Sequence, residues 1–494
     1  MSVGGPAAGS LDPRTPVLVG AGAASADAEA AESMVLALEA AGADAGSARL
    51  LGRIDRIAVP QGNWAYPDPG RLVADRVGAA TARTHLVELG IPQQGLINEA
   101  LSAIASGASE VAAVVGGEGM RWVRDAERAG RAATETAQPG VVPDVTRRRE
   151  GPLMEDVEVA HRLWDPVQQY AMIENALRAA DGLTLDRHRA EVAELWARFN
   201  RVARINPDAA FPAPMEADDI ATASPANRPL AFPYNKWHST QWTVNQAAAL
   251  LFCSVGTARA LGVPSDRWVF PRVGLESSHA VSLLRRSAPH TWPAMEVLGS
   301  AAAGRLGRPV AEAECIELYS CFPAAVRVQQ RALGLEPSTT PTVTGGMAFA
   351  GGPFNNFVLQ SMVAVTGVLR SEPRSLGVVT TVSGLLTKPG IGAWSGTPDG
   401  RPPLLGDLGE AAAAATGVID VVETLGGYDG EATVATYTVT YEGMAPTRTV
   451  AVCDTDDGRR CVAVAEDPAL AAHAVGTELI GARVRLDGGG LVLL

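Results

Sequence analysis

The 494-residue sequence lacks a basic surplus, because 41 Lys and Arg residues against 54 Asp and Glu residues give a formal net charge of −13. Nucleic acids and anionic membranes bind clustered positive charge, so neither is an expected partner. The sequence also lacks a run of the roughly 18 apolar residues needed to span a bilayer. Its N-terminus, MSVGGPAAGSLDPRTP, lacks the basic and apolar regions of a signal peptide. These absences predict a cytoplasmic protein without a membrane span.

Cysteine is scarce and forms no CxxC pair. An odd number of cysteines in a long chain is typical of reduced core thiols rather than of a disulfide or zinc framework. His279 and His290 stand alone, without the spacing of metal ligands. We therefore expect no metal and no cofactor. The five cysteines are Cys253, Cys315, Cys321, Cys453 and Cys461.

What the sequence does contain is an alternation typical of α/β proteins. Strand-like and helix-like segments alternate from residue 17 to residue 120, as expected of a parallel sheet with crossover helices. A second such series begins near Val244, so the core is predicted to be duplicated. The predicted elements of this second series are a helix at 246–260 that contains Cys253, a strand at 268–273, a helix at 294–306, and strands at 316–319 and 378–382.

Composition divides the chain into six segments. The Arg-rich and Pro-rich insertion is of a length that usually covers a site. Near the C-terminus, Tyr437, Val439 and Tyr441 alternate with threonines, which predicts strands of a small all-β, OB-like domain. The predicted segments are a leader at 1–14, an N-terminal half at 15–120, a loop domain at 121–243, a C-terminal half at 244–400, a linker at 401–416 and the β domain at 417–494.

The segment GGMAFAGGPFNN at 345–356 is dense in small residues around Pro353. Its backbone must turn tightly or approach another group closely before the apolar run 357–369, which has helical spacing. At such a helix start, Asn355 and Asn356 could cap the helix or help to hold an anionic or carbonyl oxygen. A turn followed by a helix cap, with no ligand, is the alternative interpretation.

Five segments in a fixed order resemble the thiolase superfamily, and within it the actinobacterial thiolase-like proteins often labelled acetyl-CoA acetyltransferase, which are related to sterol-carrier-protein-type thiolases and carry an extra C-terminal domain. The resemblance covers roughly residues 14–415. It implies a duplicated thiolase fold of five alternating layers (αβαβα) with a loop domain between the halves. The segments are QQGLINEALSAIASG at 93–107, VVGGEGM at 114–120, ELYSCFPAAV at 317–326, the glycine-rich segment at 345–356 and LGVVTTVSG at 376–384.

The resemblance also implies four catalytic positions, and none keeps the family's residue. The nucleophilic cysteine would fall at Gly90, the asparagine that orients an oxyanion-hole water at Tyr319, the histidine at Gly352 and the second cysteine at Val382. General acid–base and oxyanion groups each contribute about 10²–10⁴-fold in rate. We therefore expect neither thiolysis nor Claisen condensation.

The frame around these positions survives, so the expected ligand is CoA or an acyl-CoA thioester, in lipid or steroid metabolism. Glycines in place of larger side chains would make the cavity roomier. His238, from the insertion, could reach the site, although a packed histidine is the alternative. Lys236 and the arginines at 121, 124, 128, 131, 147, 148 and 149 could contact the CoA phosphates. The expected binding residues are Tyr319, Ser320, Gly351, Gly352, Asn355, Asn356, Gly384 and His238.

Two other functions stay open. Cys321 could act as a displaced nucleophile in an acyltransferase, although a buried free cysteine is usually an inert small hydrophobe. Alternatively, the chain could be a structural subunit that recruits a protein partner through its C-terminal domain. Both a monomer and a homodimer are compatible with the sequence.

Overall fold

The protein, seen here as a computed structural model, is described over residues 11–422, 428–488 and 490–494. Most of the predicted leader, and part of the predicted β domain, lie outside these residues. The N-terminal region alternates strands and helices as the sequence predicts. Its elements are β1 (Pro16–Ala24), α1 (Ala30–Asp44), β2 (Arg56–Pro60), α2 (Pro69–Arg76), β3 (Arg83–Val87), α3 (Gln93–Ser106), β4 (Val111–Gly119) and α4 (Met120–Arg128).

The insertion that follows is mainly helical. Its long helices α6 and α7 begin at side-chain caps, Asp165 and Thr184, whose oxygens accept backbone N–H groups of the first turn. The elements are β5 (Val145–Arg147), α5 (Asp156–Ala160), α6 (Pro166–Ala180), α7 (Leu185–Ala203), α8 (Ala217–Ala221), β6 (Pro229–Ala231) and β7 (Tyr234–Asn235).

A second α/β region and a strand-rich C-terminal region complete the chain. The second region contains β8 (Asn245–Ser254), α9 (Val255–Leu261), β9 (Phe270–Glu276), α10 (Pro293–Leu306), β10 (Cys315–Glu317), α11 (Pro323–Leu333), α12 (Gly346–Phe349), α13 (Phe357–Ser371), β11 (Leu376–Ser383), β12 (Lys388–Ser395), β13 (Leu404–Asp407) and α14 (Gly409–Ala415). The C-terminal region contains β14 (Gly430–Glu442), β15 (Ala445–Thr455), β16 (Arg460–Ala465), α15 (Pro468–Gly476), β17 (Arg483–Asp487) and β18 (Gly490–Leu493).

The first two sheets repeat one strand pattern. The first has the order β1-β8-β4-β2-β3-β5 and the second has the order β10-β11-β12-β9-β13. In β1-β8-β4-β2 the pairings are antiparallel, antiparallel and parallel, and β9-β12-β11-β10 shows the same succession. Helices α3 and α13 pack between the two sheets, with α1 and α2 outside the first and α10 outside the second. The predicted duplicated, layered α/β fold is confirmed.

The segment 246–260, predicted as a helix, is instead mainly strand β8 followed by the short helix α9. Strand β8 lies between β1 and β4 in the first sheet and is buried on both faces. A continuous apolar run is therefore required there, and such a run does not reveal its period. Cys253 is a core residue, as expected, but on a strand. The predicted linker 401–416 holds β13, which pairs with β9, and α14.

The C-terminal strands form an antiparallel sheet, β16-β15-β14-β17-β18, and the insertion extends this sheet. Strand β6 pairs with β14 through Ala231 and Thr440. Thr436 Oγ1 donates to the carbonyl of Met172 on α6, and Asn175 Nδ2 donates to the carbonyl of Tyr437 at 2.9 Å. One face of β14 is thus docked on the insertion, while Tyr437 packs inside the C-terminal core.

None of the helices within the described residues has the length and apolar character needed to cross a membrane. Over the same residues, no group of three or more His, Cys, Asp and Glu side chains is arranged to hold a metal ion.

Candidate functional site

A cavity of about 850 Å³ lies where the second α/β region, the insertion and the C-terminal sheet meet. The insertion lines it with the start of α6, including Val167 and Tyr170, and the C-terminal sheet with Thr440 and Tyr441. Its wall is mixed, with apolar side chains such as Leu385 beside amide and hydroxyl groups. The predicted site residues that line it are Tyr319, Cys321, Asn355, Val382 and Gly384.

Tyr319 and Cys321 follow β10 and are held rigidly. The Tyr319 backbone N–H donates to Thr380 Oγ1 at 2.9 Å, and its carbonyl accepts from Gln329 Nε2 at 2.8 Å. The Tyr319 ring packs edge-on against Phe357. Burial raises the pKa of its hydroxyl above the ordinary range. Tyr319 therefore offers a neutral hydroxyl group to the cavity.

Cys321 borders the cavity, but its environment opposes the thiolate. Burial raises the pKa of the thiol to about 12, even though a hydrogen bond with the Tyr170 hydroxyl acts in the other direction. The Tyr170 pKa is itself raised by burial. Because the thiolate is the nucleophilic form, Cys321 is overwhelmingly the weakly reactive neutral thiol near pH 7.

Asn355 joins three segments at the edge of the cavity. Its Oδ1 accepts from Gln93 Nε2 at the start of α3, and its Nδ2 donates to the carbonyl of Gln61 at 3.2 Å. Asn356, by contrast, is not among the lining residues of the cavity: its Nδ2 donates to Gln360 on α13, and its buried Oδ1 lies against Gly116. The two asparagines therefore differ in role, although they are adjacent in sequence.

The glycine pairs of 345–352 do not open into the cavity. A Cβ atom at Gly352 would lie 2.1 Å from Thr240 Cγ2, and one at Gly351 would lie 2.3 Å from Gln246 Oε1. Gly345 and Gly346 are pressed in the same way against Ala203 and Phe199. Over 345–352 these contacts correct the expectation of a roomier, glycine-lined cavity, because neighbouring residues fill the space that these glycines leave, whereas Gly384 does line the cavity.

Ser320 and His238 are used in local structure and do not line the cavity. Ser320 Oγ accepts the backbone N–H of Met347 at 3.1 Å and so fixes the start of α12. His238 Nδ1 accepts the backbone N–H of Asn235 at 3.0 Å, and burial lowers its pKa to about 4. His238 is thus the packed histidine that the sequence left as an alternative, whereas its neighbours Ser239 and Thr240 reach the cavity.

The start of α3 lies three residues beyond Gly90. The helix begins at Gln93, with Pro92 as its cap residue. Gly90 has a φ of +99°, and its carbonyl accepts from Lys388 Nζ at 3.1 Å. Neither Pro92 nor Gln93 carries a thiol or hydroxyl group. A nucleophilic side chain is therefore absent both at Gly90, the position that the resemblance implies, and at the observed start of α3.

Most of the arginines suggested for CoA phosphates have carboxylate partners. Arg147 pairs with Glu99 at 2.8 Å and Arg149 with Glu88 at 3.3 Å. Arg121 and Arg128 both approach Asp125. Arg124 stacks over the ring of Trp242, which lines the cavity. Among the described residues, Arg228 is the arginine that lines the cavity, and no sequence motif had indicated it.

A buried charged cluster fixes the insertion against the second α/β region. Glu174 on α6 accepts from His188 Nε2 at 2.8 Å, from the Tyr234 hydroxyl at 2.6 Å and from Arg327 Nη1 at 2.5 Å. Burial alone would raise the pKa of Glu174, but Arg327 and the other two donors lower it to about 2. Since α6 also supplies one wall of the cavity, this cluster holds that wall in place.

The cavity-lining residues that the insertion supplies were missed from sequence. The length of the insertion was the one signal that it covers a site. Nothing local distinguishes Val167 or Tyr441 from core residues, because they reach the cavity only through long-range packing. The same holds for Trp242 and Leu230.

Two sheets with the same strand pattern, packed on either side of central helices, are the architecture of the thiolase fold. Solved structures of thiolases and thiolase-like proteins share this fold. The crystal structure of a monomeric SCP2-thiolase like protein type 1 from Mycobacterium smegmatis matches 98% of this chain and 100% of its own chain, at 27% identity and a TM-score of 0.83. Acetyl-CoA acetyltransferase from Syntrophomonas wolfei (17% identity, 78% and 100% covered, TM-score 0.55) and human mitochondrial 3-ketoacyl-CoA thiolase (16%, 78% and 99%, 0.55) share the fold.

Residues 414–490 match the family model of the thiolase-like protein type 1 additional C-terminal domain. No curated protein sequence matches the chain significantly. The family model and the full-length structural match together support a thiolase-like protein of the thiolase superfamily.

Proposed function

We propose that this thiolase-like protein binds CoA or acyl-CoA thioesters in lipid or steroid metabolism without performing thiolysis or Claisen condensation. The observation that carries the proposal is the cavity beside Tyr319, Cys321 and Asn355. It is of the size typical of small-molecule sites, about 300–1,000 Å³, and combines apolar walls with a few fixed polar groups. Such a lining suits a polar thioester with an apolar acyl chain.

The absence of conventional chemistry rests on side-chain identity and packing. Gly90, Tyr319, Gly352 and Val382 carry no thiol, imidazole or amide side chain. The cavity borders that the structure describes include no histidine. At Gly352 the space for a larger side chain is filled by Thr240. At these four positions neither a general base nor an activated nucleophile is present, and acyl transfer through a covalent intermediate requires both.

Calorimetric titration with acetyl-, acetoacetyl- and palmitoyl-CoA tests the proposal. A Val167→Trp variant, which places a large ring at the cavity wall, should lose affinity, whereas Val159→Trp on the exposed side of α5 should bind as the unmodified protein does. No heat and no saturation with any of the three thioesters would contradict the proposal. Unchanged affinity in Val167→Trp would place the binding elsewhere.

An acyltransferase that uses Cys321 is the second candidate, favoured by one observation: the cysteine borders the cavity. Its raised thiol pKa acts against this function. Turnover of an acyl-CoA that disappears in Cys321→Ala would establish it. A merely structural subunit is less favoured, because the β14 face of the C-terminal domain is already docked on the insertion.

A further inference from the structure

The C-terminal domain reaches the cavity through an irregular part of its longest strand. The register of β14 with β15 shifts between Thr440 and Tyr441, where Thr440 faces Arg448 and Tyr441 faces Pro446. In a regular strand, successive side chains point to opposite faces. Thr447 of β15 is the extra residue of a bulge at this point, and a bulge increases the local twist of the paired strands and is common next to functional sites. Here both Thr440 and Tyr441 border the same cavity.

The insertion supports this wall from the other side. Strand β6 pairs with β14 at Ala231 and Thr440, and Leu230, the neighbour of Ala231 in the chain, lines the cavity together with Thr440. The strand is fixed further by Thr438 Oγ1, which donates to the carbonyl of Phe232 at 2.8 Å. The wall is therefore a fixed part of the fold and not the end of a loose appended domain.

Tyr441 is the bulkiest group that the C-terminal domain contributes to the cavity. It is half-buried and packs against the C-terminal core, and burial raises the pKa of its hydroxyl to about 12. The phenol is therefore neutral and presents mainly aromatic surface. The second α/β region lines the same cavity with Tyr319, Cys321 and Val382.

We infer that Tyr441, which lies opposite the bulge at Thr447 of β15, closes the far end of the cavity and determines the length of the apolar chain that the site accepts. This inference rests on the proposed function, because it takes the ligand to be an acyl thioester whose thioester group lies near Tyr319 and Asn355. The appended C-terminal domain then acts as a specificity element for the thiolase-like body. Leu230 and Thr440 form the sides of the same end wall.

The inference predicts opposite shifts in two variants. Tyr441→Ala should favour chains longer than the best chain of the unmodified protein, and Tyr441→Trp should favour shorter ones. Burying one more methylene changes a binding constant about fourfold, so a few methylenes should change the affinity ratio of long to short chains by at least about tenfold. Tyr428→Ala is the matched control, because Tyr428 packs on the same C-terminal core without bordering the cavity.

The experiment measures dissociation constants for acetyl-, hexanoyl-, dodecanoyl- and palmitoyl-CoA, and for the corresponding free fatty acids, with all four proteins. Thermal unfolding of each variant verifies folding. A long-to-short ratio that stays within about twofold in both Tyr441 variants would overturn the inference. Binding of the free acids without the CoA esters would defeat the proposed function but still test the chain-length role of Tyr441. Absence of both kinds of binding would overturn both.

Discussion

The sequence groups the glycine-rich segment 345–352 and the cavity-lining residues Cys321 and Asn355 into one site, yet the two regions differ in how closely they are packed. Around Gly351 and Gly352, neighbouring side chains approach so closely that a single added carbon has no room. A few residues away, Cys321 and Asn355 border open volume. The comparison teaches that clustered glycines here permit close approach of packed elements, whereas the open space is made by α6, β6 and β14, which come from other parts of the chain.

The largest effect should follow from releasing the cavity wall from its charged anchor. Glu174→Ala leaves Arg327 buried without its main partner, which typically costs about 3–5 kcal/mol of unfolding free energy. Urea unfolding measures the loss. Glu194→Ala, which breaks the exposed pair with Arg201, is the control and should cost less than about 1 kcal/mol. Equal losses in the two variants would show that the buried cluster is no special anchor.

The same anchor predicts loss of stability in acid. The pKa of Glu174 is about 2 in the folded protein against an ordinary 4.5, so its stabilising contribution is complete above about pH 5 and is lost as pH falls towards 2. Lowering a pKa by one corresponds to about 1.4 kcal/mol, so this group contributes roughly 3 kcal/mol. The unfolding free energy of Glu174→Gln should therefore fall less steeply between pH 5 and pH 3. Parallel pH profiles for the two proteins would contradict the assignment.

A larger side chain in the packed glycine segment should destabilise the protein unless the neighbouring Thr240 is made smaller. Gly352→Ala places a carbon against Thr240 Cγ2 and should cost about 1–3 kcal/mol of unfolding free energy. Thr240→Ser removes that methyl group while keeping the hydroxyl that donates to the Cys321 carbonyl. The double variant should therefore recover most of the loss, as a double-mutant cycle would measure.

A glycine without close neighbours provides the control for that cycle. Gly367 lies within α13, and a Cβ there would meet nothing within 4 Å. Gly367→Ala should thus stabilise the protein by about 0.5–1 kcal/mol through helix propensity. If Gly352→Ala behaved like Gly367→Ala, the segment would not be closely packed.

The smallest effect should come from a substitution at the wall of the open cavity. Cys321→Ala removes a neutral thiol from the cavity wall, so CoA-ester affinity should change by no more than about threefold, the loss or gain of one weak contact. Affinity measurements on both proteins test this. A loss of all acyl-CoA turnover in the variant would instead identify Cys321 as a nucleophile.

Much of the fold was readable because its signals are local. The apolar run 357–369 has helical spacing and forms α13, and the motif segments occur in the order that the family implies. Strand β8 was misread because burial on both faces removes the alternation that marks a strand. In β14 the alternation of Tyr437 and Tyr441 with threonines correctly indicated a strand, but Thr436 and Thr438 are buried too, against the insertion, which no periodicity could show.

The candidate site was readable only in part, for the same reason. Segments with distinctive composition supplied Tyr319, Cys321 and Asn355, all of which border the cavity. Val167 and Tyr441 come from segments more than 270 residues apart in the chain, which become neighbours of one cavity only after β6 pairs with β14. Such contacts depend on tertiary packing and leave no signature in either segment alone.

Intact mass after incubation with palmitoyl-CoA, recorded first under native and then under denaturing conditions, tests the central claim most directly. The account predicts a native complex heavier by the whole thioester, which returns to the unmodified mass on denaturation. An acyl increment that survives denaturation would contradict it by revealing a covalent intermediate. Absence of the native complex at saturating thioester would contradict it by removing the ligand.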